Sequence, residues 1–434
     1  MAQLYRSALL RFADDGQALY DQDGLLAVGP DDQGQPRVLA AGSWQALAPR
    51  FSNWPVTVLP GRLIAPGFVD MHIHFPQTDV IGSPAEGLLP WLEHYTFPHE
   101  ARFADPAHAA EVAHFFLGEL LRHGVTSALV FASSHPASVD ALMREAQGRG
   151  MRLIAGKVLQ DRHSPEGVRD ATEQSLIDTE TLIRRWHGVD RLGYAITPRF
   201  APTSSREQLR GAGALAALHP DVWVQSHVAE NAGEIAWVRQ LFPEARSYLA
   251  VYDSVGLMRR RAVYAHCIHL DEDDRALLRE RHTAAAVCPT SNLFLGSGFF
   301  DYAKAERAGF AHGLASDVGG GTSFSPFATM LAAYCVGREG ETKAATTLIP
   351  RALWWLHTAG AARALGLDGV IGNLAPGCEA DFVVLNPQAT PLLARRTRAA
   401  RSLDELLFAL IVLGDDRVVE RAVISGKIQH KPAP

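Results

Sequence analysis

Hydrophobic and polar positions change rhythm twice along this chain. Over roughly the first 60 residues, short apolar runs at 4–12, 25–28 and 38–39 are separated by Asp-Gly and Asp-Asp-Gln-Gly punctuation. That pattern predicts short strands joined by turns. Pro60-Gly61 and Pro66-Gly67 then bracket the apolar run 62–65. Beyond it, apolar β-rich runs alternate with helical segments. The predicted strands are 68–71, 125–131, 152–159, 192–197, 222–226, 262–265, 284–287 and 313–316. Segment 271–281 reads as a helix, with Glu272, Asp273 and Asp274 in its first turn and Arg279 and Arg281 at its end, matching the helix dipole. Ser204 and Glu207 have capping-box spacing and predict another helix start. After about residue 370 strands return at 381–385 and 417–424, around a helical stretch at 403–413. Eight strand–helix repeats predict an α/β fold, a (β/α)8 TIM-type barrel over 66–370. Both chain ends, 1–65 and 371–434, are expected to form one small β domain.

Composition narrows the function classes. With 434 residues, 47% hydrophobic and 20% charged, the chain can bury a large core. A net charge of −6, spread along the chain, argues against nucleic acid as the main partner, because phosphate binding needs a basic surface. The one basic run, Arg395, Arg396, Arg398 and Arg401, reads as a solvated face. Four cysteines lie far apart without Cys-x-x-Cys spacing, which predicts neither a disulfide scaffold nor a thiolate metal site and fits a reducing cytoplasm. No run approaches membrane-spanning length and the N-terminus lacks a signal-peptide core, so neither a membrane span nor secretion is expected.

The candidate chemistry sits where strands end. Residues 66–79, PGFVDMHIHFPQTD, carry His72 and His74 at i and i+2, which share one face of a strand. At the C-terminal end of a barrel strand both imidazoles can reach one ion. His227 ends the fifth predicted strand, and Glu230 follows three residues later, where a loop can return its carboxyl to the mouth for proton transfer. His266 ends the sixth, with His269 beyond it at the loop start. Asp317 follows the eighth, ahead of Gly319, Gly320 and Gly321, whose loop is either mobile or closely approached. Any one of these histidines could equally be a satisfied core residue; it is their recurrence at strand ends that points to a metal site. The sequence has no Gly-x-Ser-x-Gly nucleophile elbow and no His-Glu-x-x-His, and its His108, Glu111 and His114 read as an exposed helix face. It also lacks the His-x-Glu and Pro-Cys-x-x-Cys pair of the cytidine-deaminase type of zinc site.

His72, His74, His227, His266 and Asp317, placed at successive strand ends, resemble the amidohydrolase superfamily. The segments HIHFPQTD, LPWLEHYTFPHE, TPRFAPT, HVAEN, CPTSNLFLGSG and SDVGGGTSFS are similar to the guanine deaminases within it. The resemblance covers nearly the whole chain. It implies one zinc per chain, held by His72, His74, His227 and Asp317. The fourth strand ends in Thr197-Pro198-Arg199 without a lysine, which favours one metal over a bridged pair. It further implies a purine substrate, guanine, contacted by Gln77, Arg199 and Phe200 and by His74, His227, Glu230 and Asp317. Gln77 can pair with an amide edge, Arg199 can donate to a carbonyl and Phe200 can stack.

The implied reaction is hydrolytic deamination to xanthine and ammonia. Its catalytic groups are Asp317, taking a proton from water; His266, orienting that water; and Glu230, protonating the ring and then the leaving amine. A homodimer is implied by the same resemblance. Two other readings remain open: an amidohydrolase acting on another amino-heterocycle (a pterin, a triazine or an oxidised purine), and a non-catalytic binding protein on the same fold.

Overall fold

The computed structural model describes residues 2–339 and 348–431. The chain opens with β1 (Gln3–Phe12), β2 (Ala18–Pro30), β3 (Pro36–Ser43) and β4 (Val56–Pro66). The next strands are β5 (Phe68–His74), β6 (Val125–Phe131), β7 (Arg152–Gly156), β8 (Val158–Leu159) and β9 (Leu192–Pro198). They are followed by β10 (Trp223–Val228), β11 (Ala262–His266), β12 (Ala284–Val287) and β13 (His312–Leu314). The chain closes with β14 (Phe382–Leu385), β15 (Val419–Ile424) and β16 (Lys427–His430). Strands β5, β6, β7, β9, β10, β11, β12 and β13 neighbour one another in that order, with β8 as a short extra pairing on β9. Each of these pairs is parallel. The ring closes where the Asp317 amide donates to the His72 carbonyl (2.9 Å) and the His74 amide to the Val318 carbonyl (2.9 Å). This is the expected (β/α)8 barrel.

The remaining strands form one sheet in the order β16-β15-β14-β4-β1-β2-β3, drawn from both chain ends as expected. It meets the barrel almost without a linker, since Gly67 alone separates β4 from β5. A Cβ at Gly67 would stand 2.1 Å from Thr126 Oγ1, so only glycine passes there. A second fastening is ionic. Glu379 is buried against Arg152, at the start of β7, and Arg191, just before β9, with Arg37 of β3 at 3.4 Å. Arg191 also pairs with Asp381.

The barrel is packed, not hollow. Val69, Leu129, Ile154, Ala195, Trp223, Val263, Ala284 and Ala315 belong to one buried cluster. A cluster drawing one residue from each of the eight strands or its immediate end can only be interior. Helix Ala359–Ala364 and Leu365 join it from below, and Trp223 Nε1 donates to the Leu365 carbonyl (2.8 Å).

Two local expectations need correction. The run 152–159 is not one strand: it breaks at Lys157, whose Nζ is buried against Asp170 (2.6 Å) and the Val158 carbonyl (3.1 Å). Ser204 does not cap a helix. Its hydroxyl donates to the Leu159 carbonyl (3.2 Å), and Ser205 caps helix Arg206–Leu218 by accepting from the Gln208 amide (3.1 Å). Tertiary demand for a buried donor displaced the cap by one residue. A true capping box lies at Asn231 and Glu234, ahead of helix Ala232–Leu241. The helices at 271–281 and 403–413 form as Glu272–Glu280, capped by Asp271, and Leu403–Leu413.

Candidate active site

At the C-terminal mouth of the barrel the strand-end groups converge. His74 Nε2 lies 3.2 Å from His72 Nε2 and 3.1 Å from His227 Nε2. Asp317 Oδ1 lies 3.1 Å from His72 Nε2 and 3.3 Å from His74 Nε2. Strand β5 reaches the mouth with both histidines because its register against β6 shifts between Asp70 and Ile73. Met71 packs in the interior cluster and Ile73 in the outer one.

The donor set fits a tetrahedral divalent cation. Ligand atoms held about 2.0–2.1 Å from such an ion stand about 3.3 Å apart, close to the separations found here. The protonation states agree. His227 Nδ1 donates to the Arg199 carbonyl (2.6 Å), which leaves Nε2 a bare lone pair facing the others. Burial holds His74 down to about 4. Burial, then the neighbouring imidazoles, holds His227 well below its usual value. Burial pushes Asp317 up, but the adjoining His72 and His74 outweigh it and hold it well below the usual carboxylate range, so it is an anion. A second grouping of His72, His266, Cys288 and Asp317 shares two of the same residues. Burial pushes the Cys288 thiol well above its ordinary range, so it is a poor ligand there.

Next to this cluster stand His266 and Glu230. His266 Nε2 lies 3.3 Å from Glu230 Oε2 and 3.8 Å from Asp317 Oδ2. Burial, then the charge of Asp317, raises Glu230 to about 8, so it is a neutral acid at neutral pH. Four non-glycine residues in the left-handed region gather here: Ala229, His266, Cys267 and Asp317. Such φ values are uncommon for these residue types and cluster at working sites. The glycine loop proves closely approached. A Cβ at Gly320 would fall 2.8 Å from Ser291 Oγ, and one at Gly321 only 1.8 Å from the Ser316 carbonyl.

Gln77, Arg199 and Phe200 line the same cavity as His74, His227, Glu230, His266 and Asp317, together with Leu88, Trp91, Leu92 and Leu295. His269 is not brought in; it is exposed, its Nε2 on the Ser297 carbonyl (3.0 Å). His108, Glu111 and His114 lie apart, and His114 pairs with Glu145 (2.9 Å).

The sequence profile of the amidohydrolase family matches residues 63–429. The chain belongs to the amidohydrolase family. Within that family it is 43% identical to the guanine deaminase of Escherichia coli, over 98% of this chain and 93% of the relative. The solved structure of the E. coli guanine deaminase superposes with a TM-score of 0.94 at 40% identity, covering all of both chains. A guanine deaminase from C. acetobutylicum, solved with guanine in its active site, superposes at 0.91 with 27% identity, over 99% of this chain and 100% of the other.

This amidohydrolase site also contains residues that sequence reasoning did not single out. Asn292 Oδ1 accepts from His266 Nδ1 (2.9 Å), which fixes the imidazole with Nε2 bare toward the mouth. Ser297 Oγ donates to Glu230 Oε1 (3.0 Å), leaving Oε2 to carry the acid proton. Both lie in CPTSNLFLGSG, a segment whose polar spacing has no periodic meaning of its own. Glu234 Oε2 accepts from the Glu230 amide (3.1 Å), and burial with Glu230 beside it raises its carboxyl to about 7. Glu100 holds both Arg199 and Gln77.

Proposed function

We propose that this chain deaminates guanine hydrolytically to xanthine and ammonia. The observation that carries the reading is the joining, at one cavity, of a four-donor cation site, the buried Glu230 carboxyl and a wall of Gln77, Arg199 and Phe200. The guanine deaminases among its relatives, and the guanine-bound neighbour, support it.

His72, His74, His227 and Asp317 would hold one zinc per chain. A divalent ion there supplies Lewis acidity and makes a water ionisable near neutral pH. The chain's own groups do the rest. Asp317 turns Oδ1 to the histidine cluster and Oδ2 toward His266, so Oδ2 is free to take a proton from the attacking water. His266 Nε2 accepts a hydrogen bond from that water and orients it toward the attacked carbon. Glu230 Oε2 protonates the ring nitrogen beside the carbon that bears the exocyclic amino group. It then takes up the proton that Asp317 removed from the water and delivers it to the departing amine, and the hydroxyl proton on the attacked carbon returns to Glu230 as the carbonyl forms. Gln77 and Arg199 read the amide edge, and Phe200 covers the ring face. The apolar wall of Leu88, Trp91, Leu92 and Leu295 excludes bulk water.

The reading extends to a division of the chain at 65/66 and 370/371, to a homodimer and to a reducing cytoplasm. The passage from β4 to β5 at Gly67 supports the first boundary. Four free cysteines suit the compartment. Among the described residues, no helix is long and apolar enough to cross a membrane.

A panel of free bases assayed for ammonia release, with metal content measured on the same sample, tests the function. Guanine should be preferred over adenine, cytosine, pterin and triazine substrates, and Arg199→Ala should lose turnover while keeping its metal. Equal turnover of adenine, or preference for another heterocycle, overturns the assignment.

A further inference from the structure

Glu100 is 0% exposed and Arg199 2% exposed. Glu100 lies on the short helix Phe97–Ala101, and both its oxygens are engaged. Oε2 accepts from Arg199 Nη1 (2.6 Å) and Oε1 from Gln77 Nε2 (3.0 Å). On its other side, Gln77 Oε1 accepts from the Gly319 amide (3.3 Å). The Arg199 guanidinium also sits over the Phe97 ring, 5.0 Å from its centre.

Two consequences follow from elementary chemistry. A carboxylate can only accept hydrogen bonds, so the Gln77 amide must face it with nitrogen; the Gly319 N–H demands oxygen on the opposite side. The amide therefore has one orientation, and its remaining hydrogen and lone pair are what the cavity receives. The second consequence is charge. A lone buried guanidinium would draw an anionic ligand into the cavity, whereas paired at 2.6 Å with a buried carboxylate it presents hydrogen-bond donors with no net charge.

We infer that Glu100 is a positioning and specificity-determining residue that makes the Gln77–Arg199 wall selective for a neutral purine edge over an anionic one. The inference rests on the reading that this wall contacts the substrate. Its functional meaning is directional. Guanine enters neutral, while xanthine is the stronger acid and is largely anionic in mildly alkaline solution. A neutral wall gives the anionic product no ionic hold, and so favours its release.

The test uses full-length, metal-loaded protein and two product-like inhibitors at mildly alkaline pH: xanthine, largely anionic, and hypoxanthine, largely neutral. An amide has one acceptor oxygen, so Glu100→Gln can serve Arg199 or Gln77 but not both. The guanine KM should rise. The ratio of inhibition constants, hypoxanthine over xanthine, should rise roughly tenfold or more as the unpaired guanidinium favours the anion. General damage to the pocket would weaken both inhibitors alike, so an unchanged or falling ratio overturns the inference. Should Glu100→Gln not fold, Arg199→Gln reads the same relation in reverse. It leaves the carboxylate without its cation, and the ratio should fall; a ratio that stays or rises overturns it. Guanine turnover by the unaltered protein in the same assay checks the underlying function separately.

Discussion

Asp317 meets His72 twice: its amide donates to the His72 carbonyl at 2.9 Å, and its carboxylate oxygen lies 3.1 Å from His72 Nε2. The contact that closes the barrel between its first and eighth strands is thus also an edge of the candidate metal site. Backbone closure and ligand placement depend on each other here, so a metal bound by these side chains should hold the ring shut.

Metal removal should therefore act on activity and stability together. Purified protein should contain about one zinc per chain by elemental analysis. Chelation should abolish ammonia release and lower the thermal midpoint, because an ion present at a thousand times its dissociation constant stabilises the folded state by about 4 kcal/mol. Full activity in metal-free protein, or two metals per active chain, would sink the single-ion site.

Glu230 and His227 should separate catalysis from metal binding within one short segment. Glu230→Gln keeps size and hydrogen-bonding reach but removes the titratable proton. It should hold zinc and guanine while kcat falls by roughly 10²–10⁴. His227→Ala should lose zinc as well. If Glu230→Gln released zinc as readily, Glu230 would belong to the metal site instead.

Ser297 should matter through Glu230 alone. Removing its hydroxyl frees Glu230 Oε1 and lets the acid proton leave Oε2. Ser297→Ala should lower kcat by about tenfold, the scale of one hydrogen bond to a buried reactive group, with little change in guanine KM. Ser297→Thr should restore most of it. Equal losses in both variants, or a change confined to KM, would show that the hydroxyl does not position the acid.

Glu379 should govern acid stability. Burial pushes its carboxyl up, but Arg152 and Arg191 outweigh this and hold it at about 2, against an ordinary value of 4.5. Because the folded value is the lower one, the stabilisation is present above about pH 4.5 and is lost as pH falls toward 2. It amounts to about 3 kcal/mol. Glu379→Gln should lower the denaturation midpoint at neutral pH and flatten its dependence on acid pH. Parallel acid-unfolding curves for variant and parent would refute the role assigned to this ion cluster.

The sequence by itself determined the architecture and picked out the strand-end groups, while the choice of His72, His74, His227 and Asp317 as ligands was what the resemblance implied. Alternation of apolar runs with helical segments is a local property, and it located all eight barrel strands. Histidine and aspartate recurring at the ends of those strands pointed to one site, because in a barrel every strand end opens on the same mouth. His72, His74, His227, His266 and Asp317 were legible for that reason. What the tertiary structure decided is who holds whom. Glu100 grips Arg199 across 99 residues of chain, and Ser297 meets Glu230 across 67. Neither pairing leaves a period or a spacing in the sequence, since a hydrogen bond between distant segments exists only once the barrel has closed. The Ser204 cap and the single strand 152–159 failed for the same reason: burial assigned the Ser204 hydroxyl and the Lys157 amine to partners that local patterning does not contain. The glycine loop could be read either as mobile or as crowded from its composition. Only the neighbours, Ser291 and the Ser316 carbonyl, make glycine a steric requirement there.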